Sequence, residues 1–239
     1  MFSRFRQRSD ELEHIDKGDY TTDEYEGCLV ELRRINRFLG DARALRHSLL
    51  REIERQKFKD FSVLDVGAGS GELLRVVASW AREEDVSARL VGLELNARSA
   101  ASILEQSKSL KEIRAVRGDA LCLPFADDSF DYVMCSLFTH HFSNEGVVSV
   151  LREMARVASR RIFVIDLQRH PVPYYFYTTV ARLFLRNRLT REDGALSILR
   201  GFAPGELRAL GEEARLFHVK VQQCFPYRLV LSGGKEGSE

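Results

Sequence analysis

Asp65, Gly67, Gly69 and Gly71 lie within Val63-Leu64-Asp65-Val66-Gly67-Ala68-Gly69-Ser70-Gly71-Glu72-Leu73-Leu74, a carboxylate followed by glycines at alternate positions. Glycines spaced this way let backbone N–H groups come close to a ligand, and a helix N-terminus just beyond them favours negative charge. Phe61 to Val66 reads as a buried strand, and a helical pattern starts at Leu73. Strand, glycine loop and helix together make a ligand cradle beyond the carboxyl end of a strand in an open α/β sheet. Two phosphate-binding motifs are disfavoured. A dinucleotide fingerprint would need its third glycine at position 72, which is Glu72, and a phosphate loop would need a Lys-Ser or Lys-Thr pair that is absent here. Further acids close later apolar runs: Glu94, Asp119 and Asp166. His140 and His141 follow the run Phe130 to Ser136.

These residues need strands to carry them, and the periodicity supplies the strands. Arg89–Glu94, Ile113–Arg117, Phe130–Ser136 and Arg161–Leu167 are the second to fifth, with helical patterns after Leu73, Ser99 and Glu145. Such alternation predicts a doubly wound, mostly parallel sheet. Val219–Cys224 and Tyr227–Leu231 add a sixth and a seventh strand. Ahead of the sheet, Tyr25, Cys28, Leu29, Leu32, Ile35 and Phe38 mark one helix with Thr22 as its candidate N-cap, and Ala42 to Ile53 marks another. Met1 to Thr22 is polar, without a sustained period, and is expected to be mobile at its start. After Leu167 the alternation stops. Pro171, Pro173, the aromatics Tyr174 to Tyr177 and the arginines at 182, 186, 188 and 191 read as inserted helices.

Asp-x-Gly-x-Gly-x-Gly after an apolar strand resembles the first motif of the class I S-adenosylmethionine-dependent methyltransferases, and the likeness runs in order from Phe61 to Leu231. It implies a seven-stranded α/β sheet with an antiparallel last strand. It also implies a division into an N-terminal helical cap over 1–57 and a methyltransferase domain over 58–239, with 168–203 as a helical insert on the substrate side. The two N-terminal helices equally suit plain packing on the sheet edge. If they form a cap, Arg33, Arg34, Asn36 and Arg37 are the candidates to face the pocket. The resemblance places S-adenosyl-L-methionine on Asp65, Gly67, Ala68, Gly69, Glu94, Leu95, Asp119, Ala120 and Ser136. Glu94 matches the acid that takes both ribose hydroxyls, which a charged carboxylate does well. Asp119 matches the acceptor for the adenine amino group, with the Ala120 N–H offered to the ring. Asp65 matches the acid that holds the glycine loop.

The segment Ser136-Leu137-Phe138-Thr139-His140-His141-Phe142 is similar to the post-strand segment of bacterial small-molecule methyltransferases, including those acting on phenolic or polyketide-type metabolites. Transfer from a sulfonium is an in-line displacement that depends mainly on alignment, and a hydroxyl acceptor gains from a base near neutral pKa. His140 is the candidate base, with a hydrogen-bonded loop histidine as the plain alternative, and His141 is expected to be buried. Asp166 either orients substrate or a basic group, or caps the next helix through its carboxylate. Cys135-Ser136-Leu137-Phe138 lacks the Pro-Pro of base-methylating enzymes, which argues against nucleic acid. Transfer to nitrogen or carbon, or a catalytically silent cofactor-binding protein, are the alternatives. The Arg-rich stretch 182–191 suits either an anionic substrate or a solvated face.

The 239 residues carry a net charge of +1, which gives no bulk attraction to nucleic acid or membranes. Cys28, Cys122, Cys135 and Cys224 are scattered, with no paired spacing for a disulfide framework or a zinc site, so no metal is expected. Met1 to Arg8 lacks the apolar stretch of a secretory signal, and no run reaches membrane-spanning length. A cytoplasmic enzyme with a small-molecule substrate is the expectation.

Overall fold

The computed structural model describes residues 3–36 and 40–235, and for residues 3, 32–36, 181 and 182 the backbone alone. Seven strands form one sheet: β1 (Asp60–Val66), β2 (Ser87–Glu94), β3 (Ile113–Arg117), β4 (Phe130–Ser136), β5 (Ala158–Leu167), β6 (Phe217–Cys224) and β7 (Arg228–Gly234). The order is β3-β2-β1-β4-β5-β7-β6, with β7 antiparallel to both of its neighbours. The strand order reverses between β1 and β4, which pair in parallel, so the crevice for a ligand opens over their carboxyl ends.

Side-chain alternation along the strands splits the core into two layers. Leu64, Val66, Val133, Cys135, Ile162 and Val164 face the helix Asn144–Val157, and Val63, Leu90, Tyr132, Met134, Phe163 and Ile165 face the other side. The helices number α1 (His14–Lys17), α2 (Thr22–Asn36), α3 (Asp41–Leu45), α4 (Arg51–Gln56), α5 (Glu72–Glu83), α6 (Ala97–Gln106), α7 (Asn144–Val157), α8 (Pro171–Phe176), α9 (Arg182–Phe184), α10 (Arg188–Arg200) and α11 (Pro204–Glu213). A wider π turn, Arg46–Leu50, joins α3 to α4, and another, Tyr177–Ala181, joins α8 to α9.

The two N-terminal helices have different fates. α3 to α4 belongs to the core: Ala44, Leu45, Leu49, Leu50 and Ile53 are buried with Leu74, Val77 and Trp80 of α5. Asp41 and Arg228, both buried, clamp this stretch to β7 at 2.5 and 3.3 Å. α2 instead bridges two elements above the strand ends. Tyr25 shares a hydrogen bond of 2.8 Å with Ser99 of α6, and the Glu31 carboxylate accepts from the backbone N–H groups of Arg186 and Asn187. Its N-cap is Thr21, not Thr22: the Thr21 hydroxyl accepts from Glu24 N–H while the Glu24 carboxylate accepts from Thr21 N–H. Of the four expected pocket residues on α2, Arg33, Arg34 and Asn36 are described by backbone alone and Arg37 lies outside the described residues.

The N-terminal stretch, expected to be mobile at its start, is fastened over residues 5–16, while residues 1 and 2 lie outside the described residues. Three guanidinium groups hold it: Arg8 donates to Arg200 O, Phe142 O and His140 O, Arg169 to Phe5 O, and Arg200 to Glu11 O. Asp193 of α10 caps α1 by accepting from His14 and Ile15 N–H groups. No helix among the described residues is long and apolar enough to cross a membrane.

Candidate cofactor and acceptor site

Backbone bonds between neighbouring strand ends shape the glycine loop. Gly67 and Ala68 N–H groups donate to the Leu93 carbonyl at 2.9 and 3.2 Å, and the Gly69 N–H donates to Glu94 Oε1 at 2.5 Å. Gly67 has φ 71°, and a Cβ there would fall 2.3 Å from the Phe138 ring, so only glycine fits. Leu137, at φ 50°, is the strained residue that turns the chain after β4 and lays Phe138 on Gly67. Gly69 has φ 57° with nothing within 4 Å of a Cβ, which leaves space above the loop.

The strand-end acids Asp65, Glu94 and Asp119 differ sharply in environment. Asp65 is buried, and burial followed by the nearby Glu94 charge pushes its carboxyl well above the usual range. Its Oδ1 has no hydrogen-bond partner among the described residues. Among the described residues the loop N–H groups of Gly67, Ala68 and Gly69 are taken by Leu93 and Glu94. Burial raises Glu94 to about 7, against the pull of N–H groups from Gly69, Leu95 and Asn96 and the charge of His141. Asp119 is exposed, and its Oδ1 accepts from Leu121 N–H at 2.9 Å. The Gly118 N–H joins the Glu94 carbonyl at 3.0 Å, so the β2 and β3 ends lie side by side. Leu95 and Leu121 are 64% and 45% exposed beside them, while Ala120 is buried and Ser136, at the end of β4, is half-buried. Two carboxylates whose pKa values burial raises, space over a glycine loop and exposed apolar side chains beside an exposed acid suit the expected cofactor, with its cationic groups, hydroxyls and flat ring.

The second cluster lies past β4 and β5. Asp166 is fully buried at the end of β5 and accepts from Thr139 Oγ1 at 2.6 Å, from His140 N–H at 3.2 Å and from Leu167 N–H at 2.7 Å. Its Oδ1 also lies 2.7 Å from His140 Nδ1. Burial acts to raise its pKa, but the charge and bonds of His140 and the other donors outweigh that and hold it well below the usual range. Asp166 thus orients His140. The cap of α8 comes from His170, whose imidazole accepts from Val172 N–H at 3.2 Å. Of the two histidines His140 is buried, whereas the side chain of His141, expected to be buried, is 24% exposed and paired to Asp16 at 2.9 Å.

With Nδ1 engaged, His140 presents Nε2, which lies 3.8 Å from Glu13 Oε1. Glu13 is itself buried and accepts from Ser197 Oγ at 2.9 Å. The N-terminal strap therefore walls the imidazole edge. Glu13, His140 and His141 bring three metal-capable atoms within 4.8 Å of one another, but Asp16 engages the His141 nitrogen and Arg200 stands 3.9 Å from Glu13 Oε1, so the trio is knitted into an ion-pair network. Sequence reasoning missed Arg8, Glu13, Asp16 and Arg200. The only local signal was Glu13-His14-Ile15-Asp16-Lys17-Gly18, an acidic helix start with a glycine stop. In the Arg-rich stretch, Arg188 is committed to Glu24 and Asp19.

Residues 63–160 match the family described as "Methyltransferase domain". The chain is 35% identical over 109 residues to the uncharacterized methyltransferase YcgJ of Bacillus subtilis, covering 44% of this chain and 40% of that protein. It is 30% identical over 129 residues to a demethylmenaquinone methyltransferase of Bacillus licheniformis, covering 54% and 53%. The chain thus spans about half the length of the curated relatives it matches. Among solved structures, magnesium protoporphyrin IX methyltransferase from Synechocystis PCC 6803 with bound S-adenosylhomocysteine superposes with TM-score 0.59 at 14% identity, over 83% of this chain and 84% of that one.

Proposed function

We propose that this chain, which carries a class I S-adenosylmethionine-dependent methyltransferase domain, transfers a methyl group to a hydroxyl of a small, largely apolar acceptor. When bound, S-adenosylmethionine supplies an electrophilic methyl on its sulfonium. The chain's own groups divide the remaining work. Gly67, Ala68 and Gly69 form the floor of the cofactor cradle, Glu94 takes the ribose hydroxyls, and Asp119, Leu95 and Ala120 receive the adenine. Asp65 sits buried beneath the cationic end, where the arriving cationic charge would favour its ionised form. Ser136 borders the acceptor side.

The observation that carries the acceptor reading is the Asp166–His140 pair at 2.7 Å. A buried carboxylate on Nδ1 fixes the ring and leaves Nε2 to take a proton, which is the arrangement a general base needs. Acceptor approach then requires the strap around Glu13 to shift. The relatives named demethylmenaquinone methyltransferases favour a second reading, a hydroxylated aromatic ring methylated at carbon. Removal of the ring hydroxyl's proton by His140 would serve that reaction too, by raising the electron density of the ring.

Two measurements test the proposal. Calorimetry with S-adenosylhomocysteine and with NADH should show binding of the first alone; NADH binding would overturn the cofactor assignment. Labelled-methyl transfer to a panel of phenols, hydroxylated quinols and amines, with product structures solved, should place label on oxygen. Label on ring carbon selects the second reading, and label on amines alone defeats both.

A further inference from the structure

We propose that the outer face of the insert helix binds the surface of an anionic lipid bilayer. α8, the π turn and α9 run without a break over 171–184. Val172, Phe176, Val180, Leu183 and Phe184 are 54%, 57%, 42%, 80% and 79% exposed. Their spacing of four, four, three and one places them on one side of the helix. The tyrosines hold the opposite side to the protein. Tyr174 and Tyr175 pack edge-on to Phe5, and the Tyr177 hydroxyl donates to the Thr190 carbonyl. The helix is thus anchored by its polar-tipped aromatics with its purely apolar residues turned outward, an arrangement a water-facing helix does not favour. Phe225 is 74% exposed on the β6–β7 turn, whose Tyr227 stacks on His170 just before α8.

The charges around the stripe select the occupant. Arg4 and Arg6 precede and follow Phe5 on the segment packed against α8, and Arg186 and Arg191 follow α9. All four are exposed, and among the described residues none pairs with a carboxylate. Three nearby acids already have cationic or imidazole partners: Glu24 and Asp19 pair with Arg188, and Glu192 with His14, while Glu31 is turned inward with one oxygen accepting from backbone N–H groups. An apolar stripe flanked by exposed guanidinium groups that have no carboxylate partner among the described residues complements an anionic headgroup layer with acyl chains beneath it. The same rim disfavours a second copy, because a two-fold contact would set like charges against each other. This departs from the expectation of no membrane partner, which rested on a net charge that averages over the whole surface. Docking stands apart from the transfer chemistry. If the reading of an apolar acceptor also holds, the acceptor would be drawn from the bilayer, since β5 leads from Asp166 directly into α8.

The test is co-sedimentation of the full chain, without cofactor, with phosphatidylcholine vesicles that contain or lack phosphatidylglycerol, at low and high salt. Binding is expected only with phosphatidylglycerol and should weaken as salt rises. The double substitution Leu183→Glu/Phe184→Glu should lower the partition coefficient by roughly tenfold or more, with unchanged circular dichroism and S-adenosylhomocysteine affinity. Phe176→Gln is the milder second variant, and Arg186→Glu/Arg191→Glu should remove the salt-dependent part. Absence of wild-type partitioning, or wild-type binding by both apolar-face variants, would overturn the proposal. A dimer seen by light scattering and abolished by Leu183→Glu/Phe184→Glu would instead assign the face to a second copy.

Discussion

Glu94 and His140 are the two side chains on which affinity and turnover separate. Burial holds Glu94 at about 7, above its unfolded value near 4.5. Its contribution to the stability of the free protein is therefore complete below the unfolded value and is lost as pH rises through about 7. Hydroxyl donors and cationic charge from the cofactor favour the ionised form, so binding below that pH should expel a proton. Calorimetry near pH 6 in buffers of different ionisation heat should register that release, and Glu94→Gln should reduce it, leaving the part that comes from Asp65. The same variant should lose charge-assisted bonds worth about 1.5–3 kcal/mol, roughly ten- to hundredfold in affinity. Undiminished affinity would remove Glu94 from the ribose. For His140, replacement by Ala should cut turnover by about 10²–10⁴ while cofactor affinity holds. Asp166→Asn should slow turnover in the same direction, because it takes away the charge facing Nδ1. Near-native turnover of His140→Ala on its true acceptor would leave the histidine as a loop brace.

The strap over residues 3–20 is the element that covers this histidine. Arg200 is buried and donates to His140 O at 2.9 Å, His141 O at 2.6 Å and Glu11 O at 2.5 Å, so one guanidinium ties strap and loop together. Arg200→Met should cost about 1.5–3 kcal/mol, measured by denaturant unfolding, and should accelerate amide exchange through residues 8–17. The His141–Asp16 pair adds a pH dependence. Burial acts to lower the His141 pKa, but the bond to Asp16 and the charges of Glu13, Asp16 and Asp166 outweigh it, so the folded value is raised. Burial acts to raise Asp16, but the bond to His141 and its charge outweigh that and lower it. The pair is fully stabilising below the unfolded histidine value of about 6.5 and above the unfolded aspartate value of about 3.9. It weakens as pH rises through the folded value of His141, or falls through that of Asp16. Exchange in the strap, corrected for its intrinsic pH dependence, should be slowest inside that window; a flat profile would detach the pair from strap closure.

For the molecule as a whole, the N-terminal region is two things in one stretch of chain. Residues 3–20 lie over the site, and residues 41–56 belong to the core beneath the sheet. Removing 1–20 should leave a cooperatively melting protein with altered acceptor kinetics. Removing 1–57 takes away Asp41 and a buried apolar layer that includes Leu45, Leu49, Leu50 and Ile53, and should abolish cooperative folding. Asp41→Ala isolates the electrostatic part. It strands the Arg228 guanidinium in the core and should destabilise the fold by about 3–5 kcal/mol, read from the melting transition. If the 1–57 deletion melted like the full chain, the assignment of 41–56 to the core would fail.

The strand–helix alternation, the glycine loop and the acids closing β1, β2 and β3 were legible from the chain alone. Each is written within a few residues, in periods of two or 3.6 or in glycines that a tight turn demands. Even the cap of α2 was legible to within one position, since Thr21 and Glu24 spell a capping box. Only the tertiary structure joined Asp166 to His140 across 26 residues and Glu13 to the same imidazole from the far end of the chain. Charged contacts of this sort leave no periodic trace. A guanidinium that grips three carbonyls, as Arg200 does, looks in sequence like any solvated arginine. The division of the N-terminal helices was hidden for a related reason: an apolar helical stripe states that a face will be buried, and only packing decides against what.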